Sequence, residues 1–451
     1  LTTLARLFAD AGFPLYVVGG MVRNALLGLP VHDMDITSAM RMEDVRALCA
    51  AHGIGCTEKG AFFGTLDLAL GAWRFEYAAF RAERYGAGGA HRPEGVRFTQ
   101  SLEEDAFRRD FTVNALYYDI LSGQIVDPTG GFADLSARAI RATSPDPGVI
   151  LSDDGLRILR MARFAAELGF SVEGRTLAAA RANVAGVRDI SAERLREELD
   201  KILLSDIRYG LGSGRVLAGL YLLREAGALE ALLPEVAAGR GIAQRAEYHA
   251  HDVEEHMLRA CACAKPTRTA RLAALLHDVG KPVMVRETGR MLGHDAAGAE
   301  LAAGILRRLK YPNAVQEEVV ALVRCHMYDL NGNAKETTLR RRFALWGAAF
   351  TLALADLREA DVHGSGRIAG EVKSAARWRA VLARMQQEGA PLSAEELRCT
   401  GSDIMAWLGI PASPRVGEIK RALLLHCACH PRDNVPERLK KIAKDIGGSR
   451  G

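Results

Sequence analysis

Strand-type patterning is concentrated in the first ~140 residues, and from Ser152 onward it nearly vanishes and helical periodicity takes over. A chain built this way carries one small mixed head and a long helical body. In the head, Leu15-Tyr16-Val17-Val18 is a short apolar run closed by Gly19-Gly20, which predicts a buried strand and a turn. Met21 to Leu27 then reads as a short helix. Gly64 to Leu70 alternates apolar and polar residues, and Trp73 to Phe80 follows after Gly71, which predicts a hairpin. Tyr85 to Gly95, with Gly88-Gly89 and Pro93, is expected to be a mobile loop. Residues 153–168, 191–204 and 212–232 carry the helical period. The fold class expected is therefore α+β, with a small mixed sheet followed by an all-α body.

A length of 451 residues gives a soft prior of about three domains. Pro145 and Pro147 mark a boundary, and the expected division is 1–145, 146–245, 246–365 and 366–451, with the fold of residues 390–451 left open. Apolar residues make up 49% and charged residues 25%, which excludes a disordered or collagen-like chain. No apolar run reaches the ~18–20 residues of a membrane span, so no membrane association is expected. The N-terminus has no basic segment leading into a long apolar stretch, so no secretory signal is expected. Eight cysteines without framework spacing predict a reduced, cytoplasmic protein. A net charge of +4 means that any RNA-binding surface is local. Arg307-Arg308-Lys310, Arg340-Arg341-Arg342 and Arg438-Lys440-Lys441-Lys444 are either solvated helix faces or phosphate tracks.

The sharpest early signal is Val18-Gly19-Gly20-Met21-Val22-Arg23, followed by His32-Asp33-Met34-Asp35. Residues two apart in an extended segment share a face, so Asp33 and Asp35 present two carboxylates to one side. That arrangement suits Mg²⁺, which takes carboxylate and phosphate oxygens. Gly19 and Gly20 let the backbone approach phosphates closely, and Arg23 adds a charge for a triphosphate. A third carboxylate would complete a two-metal site, and Glu76 on the hairpin is the candidate. The blander reading of each is an acid on a solvated strand.

In chain order these motifs are Gly-Gly-x-x-Arg-x-x-Leu-Leu-Gly from Gly19 to Gly28, the Asp-x-Asp pair, Arg108-Arg109-Asp110-Phe111-Thr112-Val113-Asn114-Ala115, and Asp127-Pro128…Gly130-Gly131…Asp134-Leu135. Over residues 13–205 the chain resembles the class II tRNA nucleotidyltransferases and bacterial poly(A) polymerases. The resemblance implies a head of the polymerase-β type. It places metal ligands at Asp33 and Asp35, a third catalytic carboxylate at Glu76, and nucleotide contacts at Gly19, Gly20, Arg23 and Arg109. Asp110 lies in the same motif, with a structural partnership to Arg108 or Arg109 as the alternative.

Further along, Asp154, Arg157, Arg160 and Arg163 are spaced by three, so on a helix they form one slanting ridge. A capped amphipathic helix with a basic face accounts for that pattern. The chemistry offers a sharper reading. Cytosine and adenine both present an amino donor beside a ring-nitrogen acceptor. Asp154 can accept from the first while Arg157 donates to the second, and uracil or guanine would leave both unpaired. The family resemblance extends nucleotide contact to Arg160 and Arg163. It also shows a departure, because Asp153 stands where the family usually has Glu.

Leu272 to Pro282, containing His277-Asp278 and Gly280, resembles the HD metal-phosphohydrolase signature. His256 and Asp361 are the candidate further ligands of a divalent metal, with Asp356 as a rival for the last. His294 and His326 are expected to support the ligands from behind or to contact substrate, and His249 and His251 to lie at the surface. The pairs Cys261/Cys263 and Cys427/Cys429 are too close and isolated for a zinc site. His426 and His430 could bind metal only adventitiously.

The resemblance thus implies a Mg²⁺-dependent, template-independent nucleotidyltransferase acting on the tRNA 3′ end with CTP and ATP, without an obligate protein partner. Loops at 58–64 and 82–95 are candidates for the switch from C to A. Poly(A) addition, or addition of only part of CCA, stays open. So do an HD phosphohydrolase and a non-catalytic RNA-binding protein.

Overall fold

The computed structural model describes residues 1–31, 34–60, 65–84, 95–212 and 214–448. It divides into two compact units, residues 1–237 with 308–310, and residues 238–307 with 311–451. The head and the helices up to residue 237 therefore form one unit. The expected loop at Tyr85 to Gly95 lies, up to Glu94, outside the described residues.

In the first unit, helix α1 (Thr2–Asp10) precedes strand β1 (Tyr16–Val18), and helix α2 (Gly20–Leu26) follows the glycine turn. Strand β2 (Asp35–Ser38), helix α3 (Met42–Ala51) and strands β3 (Gly55–Gly60), β4 (Thr65–Leu70) and β5 (Trp73–Ala79) come next. After the pair β6 (Arg81–Arg84) and β7 (Gly95–Phe98), helix α4 (Leu102–Phe107) leads to β8 (Tyr117–Asp119) and β9 (Ile125–Val126). Seven strands form one mixed sheet in the order β3-β4-β5-β2-β1-β8-β9. Within it β2 and β5 run parallel and β4 and β5 antiparallel, the latter being the expected hairpin.

The sheet is half-buried, and its burial follows the strand period. In β5, Phe75, Tyr77 and Ala79 are buried while Glu76 and Ala78 face the other way. Val18, Phe80, Ala106, Ala115 and Tyr117 form an apolar cluster beneath. Helix α5 (Gly131–Ala137) closes the head, followed by α6 (Pro147–Asp153) and α7 (Leu156–Leu168). The periodic stretch 153–168 is thus interrupted at its start, with Asp154 extended between α6 and α7. Helices α8 (Gly174–Ala182) and α9 (Ala192–Leu203) pack behind.

The second unit is helical throughout among the described residues. Helices Val253–Cys263, His294–Arg308 and Glu336–Gly364 carry His256, His294 and Asp361, while His277 and His326 cap the ends of Arg268–Leu276 and Asn313–Cys325. The region left open by the sequence, residues 390–448, contains helices Gly401–Leu408, Pro414–Cys429 and Pro436–Gly448. Among the described residues, no helix is long and apolar enough to cross a membrane.

Candidate active site and histidine cluster

Asp35 opens β2, and its register partner on the parallel strand β5 is Glu76. The Glu76 amide donates to the Met34 carbonyl at 3.0 Å, which locks the two strands beside the carboxylates. Register partners share a face, so these two acids stand side by side. Asp67 is the partner of Glu76 on the other flank, which makes a row of three carboxylates across β4, β5 and β2. Lys59 ion-pairs with Glu76 and lies 3.8 Å from Asp67. The hydrogen bond to Glu76, together with the charges of Asp67 and Asp35, raises the Lys59 ammonium above its usual range. Asp33 lies outside the described residues.

Gly19 sits at φ +75°, a conformation that favours glycine. A Cβ at Gly19 would stand 3.9 Å from both Arg109 Nη1 and Asp35 Oδ2. The glycine turn, the arginine and the carboxylates are therefore one locus. Arg109 is held by Asp105, at 2.9 Å from Nη2, and by the Tyr117 hydroxyl at 3.0 Å. Asp105 is fully buried and also takes Arg108 at 2.7 Å, the Tyr117 O–H at 2.7 Å and the Arg81 amide. Burial would push its carboxyl up, but Arg108 and Arg109 outweigh that and hold it well below the carboxylate range. Arg23 is buried too. It donates to Asn114 and Asn24, and its guanidinium lies 5.1 Å from the Phe164 ring centroid.

Asp110 partners neither Arg108 nor Arg109. Its Oδ2 accepts from Arg160 Nε at 2.7 Å and Nη2 at 2.6 Å, and its Oδ1 accepts from Asn114 and from the Phe111 amide. Burial opposes the charge, yet Arg160 and Asn114 keep the Asp110 carboxyl down at about 2. This contact ties the head motif to helix α7. At the start of that helix, Asp154 caps the Leu156 amide with one oxygen and takes Arg194 at 2.7 Å with the other. Arg157 is buried and donates to the carbonyls of Ile150 and Arg108. Arg163 donates to Glu198 at 2.5 Å and Glu167 at 3.0 Å, and stacks 3.9 Å over Phe164. The ridge of residues spaced by three exists, but each side chain on it has a different set of partners.

In the second unit, His256 and His277 face each other with Nε2 atoms 3.1 Å apart. Asp278 Oδ2 is 3.3 Å from both, and Asp361 Oδ1 is 3.1 Å from His256 and 3.6 Å from His277. The structure thus gathers the four residues picked from the sequence. The rival, Asp356, is engaged with Arg379 and Lys265. Burial works against a charged His277, but Asp278 and Asp361 outweigh it and push the ring up to about 10. His294 and His326 lie beside the same aspartate, on its other oxygen. Gly280 makes this possible, because a Cβ there would fall 2.2 Å from the His294 carbonyl oxygen. His249, expected at the surface, is half-buried with its ring 4.7 Å from that of His256. Burial and the neighbouring His256 lower it to about 4. His251 is half-buried as well. His426 pairs with Asp433 and stacks on His430. All eight cysteines are free thiols.

Residues 15–141 match the family model described as the poly A polymerase head domain. Residues 169–239 match a probable RNA- and SrmB-binding site of polymerase A, and residues 240–363 an HD domain. An A-adding tRNA nucleotidyltransferase of Deinococcus radiodurans is 35% identical over 420 residues, covering 90% of each chain.

The chain belongs to the tRNA nucleotidyltransferase family.

A multifunctional CCA protein of Chromobacterium violaceum is 37% identical over 311 residues, covering 66% of this chain and 70% of that one. The crystal structure of the Bacillus stearothermophilus CCA-adding enzyme in complex with CTP superposes with a TM-score of 0.73 at 26% identity, covering 99% of this chain and 97% of that one. Polymerase-β-type nucleotidyltransferases use divalent metals, and HD domains bind metals. The donor sets fit that use, since carboxylates line the head locus and imidazoles with carboxylates the second unit.

Sequence reasoning about this tRNA nucleotidyltransferase missed Asp105, Asp67 and Lys59, and put His249 at the surface. Asp105 had one available signal. It precedes Arg108 and Arg109 by three and four residues, the spacing at which a helix brings acid and base together. Asp67 and Lys59 had none, since only cross-strand register places them beside Glu76.

Proposed function

We propose that this enzyme adds C, C and A to the tRNA 3′ end from CTP and ATP, with Asp33, Asp35 and Glu76 as its catalytic carboxylates. The observation that carries this reading is the register pair Asp35–Glu76 set beside Gly19 and Arg109. Mg²⁺ ions held by Asp33, Asp35 and Glu76 would activate the RNA 3′ hydroxyl toward the α-phosphate and steady the departing pyrophosphate. Glu76 is fixed by the β2–β5 ladder, so its carboxylate is positioned before substrate arrives. Gly19 and Gly20 let the triphosphate approach the backbone, and Arg109, oriented by Asp105 and Tyr117, neutralises it.

Base selection falls to Asp154 and Arg157 at the start of α7. Each would exchange its present partners, Arg194 and two backbone carbonyls, for the Watson–Crick edge of C or A. Arg160 supports that helix through Asp110. Arg23 and Arg163 act through Asn114, Phe164, Glu167 and Glu198. In the second unit, His256, His277, Asp278 and Asp361 would hold a divalent metal. A cytoplasmic location accords with eight free thiols.

One observation favours a narrower reading. The relative matching 90% of both chains is an A-adding enzyme, so addition of A alone to tRNA already ending in CC is the second reading. The experiment supplies purified enzyme with tRNA transcripts ending before CCA, at C and at CC, with labelled CTP or ATP. Ordered C, C, A addition that then stops, abolished in Asp33→Ala, supports the first reading. Incorporation of A alone onto the CC transcript supports the second. Unlimited A-tailing makes the enzyme a poly(A) polymerase, and no incorporation refutes the assignment of the head.

A further inference from the structure

We propose that the Tyr209 hydroxyl is a further substrate-binding group, donating its hydrogen to a β- or γ-phosphate oxygen of the incoming CTP or ATP. This rests on the reading of the head as the site of nucleotide addition, and adds to it a residue from beyond the head.

Tyr209 follows the short helix Ser205–Arg208, and Gly210, at φ +67°, turns the chain directly after it. Its half-buried side chain reaches back to helix α2, 185 residues earlier, where the hydroxyl accepts from Asn24 Nδ2 at 3.1 Å and lies 3.5 Å from Arg23 Nη2. That same Nη2 rests against the glycine turn, 3.5 Å from where a Cβ on Gly20 would stand. A Cβ on Gly19, the other residue of the turn, would stand 3.9 Å from Arg109 Nη1 and Asp35 Oδ2. Tyr209, Arg23, the turn, Arg109 and Asp35 therefore form one run of contacts. The carboxylates act at the α-phosphate, and the turn separates Tyr209 from them, so the hydroxyl is placed for the β and γ phosphates.

These hydrogen bonds have a fixed direction. Asn24 Oδ1 is taken by Arg23 Nε at 3.1 Å and Nη2 at 2.9 Å, so Asn24 turns its amide nitrogen to Tyr209. An amide nitrogen and a guanidinium only donate, so both put hydrogens on the Tyr209 oxygen and its own hydrogen points elsewhere. Among the described residues no acceptor takes that hydrogen. Arg23 is 3% exposed, and its three nitrogens are spent on neutral groups, Asn24, Asn114 and Tyr209. Among the described residues no carboxylate pairs with it, so its buried charge is left for an anion that its own committed donors do not reach. Tyr209 passes that charge on, because an oxygen drawn on by two donors makes its O–H a stronger donor in turn. Arg208, with its guanidinium 5.7 Å from the Tyr209 ring centroid, adds to the pull.

Tyr209→Phe keeps the ring and removes the hydroxyl. Loss of a hydrogen bond to a charged acceptor should raise KM for both CTP and ATP about ten-fold, with little change in kcat or in KM for tRNA. Inhibition by pyrophosphate, which carries the same two phosphates, should weaken by the same factor. A hydroxyl that only props Arg23 would raise KM as well, so a second variant separates the two roles. Trifluorotyrosine placed at position 209 has a phenol acidic enough to ionise within the assay range, and as pH rises it loses its hydrogen and gains a negative charge. Donation to phosphate then requires KM for both nucleotides to climb through that titration relative to wild type. A prop that only accepts from Arg23 would hold it more firmly once ionised, so a KM that stays level or falls overturns the proposal. An unchanged nucleotide KM in Tyr209→Phe, or a change in the KM for tRNA alone, also overturns it while leaving the head reading in place. Absence of incorporation by the wild-type enzyme overturns the head reading and this proposal together.

Discussion

Replacing Asp110 by Asn tests how the head motif is joined to the helix that is proposed to read the base. Asn keeps one oxygen for the Phe111 amide but loses the charge that holds Arg160 through contacts of 2.7 and 2.6 Å. Removing one partner of a buried ion pair costs about 3–5 kcal/mol. The Arg160 side chain keeps 33% exposure and can hydrate in part, so the lower end, about 3 kcal/mol, is expected at pH 7. The pH dependence gives a second, independent number. Asp110 is held at about 2, below its ordinary 3.8, so its contribution is present above pH 3.8 and lost as pH falls toward 2. Between pH 5 and pH 3 the wild-type enzyme should lose about 1 kcal/mol that the variant never had. Urea unfolding followed by circular dichroism at pH 7, 5 and 3 measures both. A gap below about 1 kcal/mol at pH 7, or one that does not narrow between pH 5 and 3, would refute the assignment of Asp110 as the buried anchor of Arg160.

Three further outcomes follow from the same geometry. Glu76→Gln is isosteric on a half-exposed strand face, so tRNA binding and Tm should hold while kcat falls by about 10³-fold or more, and retained turnover would remove Glu76 from the site. Lys59→Met removes the cation resting on Glu76, and because that pair is half-exposed its worth is at most about 1 kcal/mol. The Mg²⁺ concentration for half-maximal rate should drop by up to about five-fold, and a rise would show that Lys59 serves the substrate instead. Arg163→Met takes its cation from buried Glu167 and leaves Glu198 with Lys201, so it should cost about 3 kcal/mol in unfolding experiments with the C-to-A preference unchanged, and a changed preference in a stable variant would make Arg163 a direct base contact.

Much of this arrangement was legible along the chain because it is local. The turn at Gly19 and Gly20, the hairpin from Thr65 to Ala79, and the helix from Leu156 follow from apolar periodicity, glycine and capping. The His277-Asp278 pair was legible for the same reason, being adjacent in a single motif. Glu76 was reached as an acid on the predicted hairpin and through the family resemblance. That Asp110 reaches Arg160 rather than an adjacent arginine was not legible, since fifty residues separate them. His249 misled for a related reason. Its polar neighbourhood in sequence suggests solvent, whereas packing lays its ring against His256.

The sequence by itself determined the elements, the order of the motifs and the residue types able to hold phosphate or metal, because these depend on side-chain chemistry and short-range spacing. Only the tertiary structure decided which groups meet. Parallel pairing of β2 with β5 sets Asp35 beside Glu76 and draws Asp67 and Lys59 into the same row, through a register that no local pattern specifies. Helix packing turns both oxygens of Asp278 toward histidines from four different segments, because Gly280 lets the His294 backbone come within reach. Spacing along the chain names the candidates, and contact across it assigns their partners.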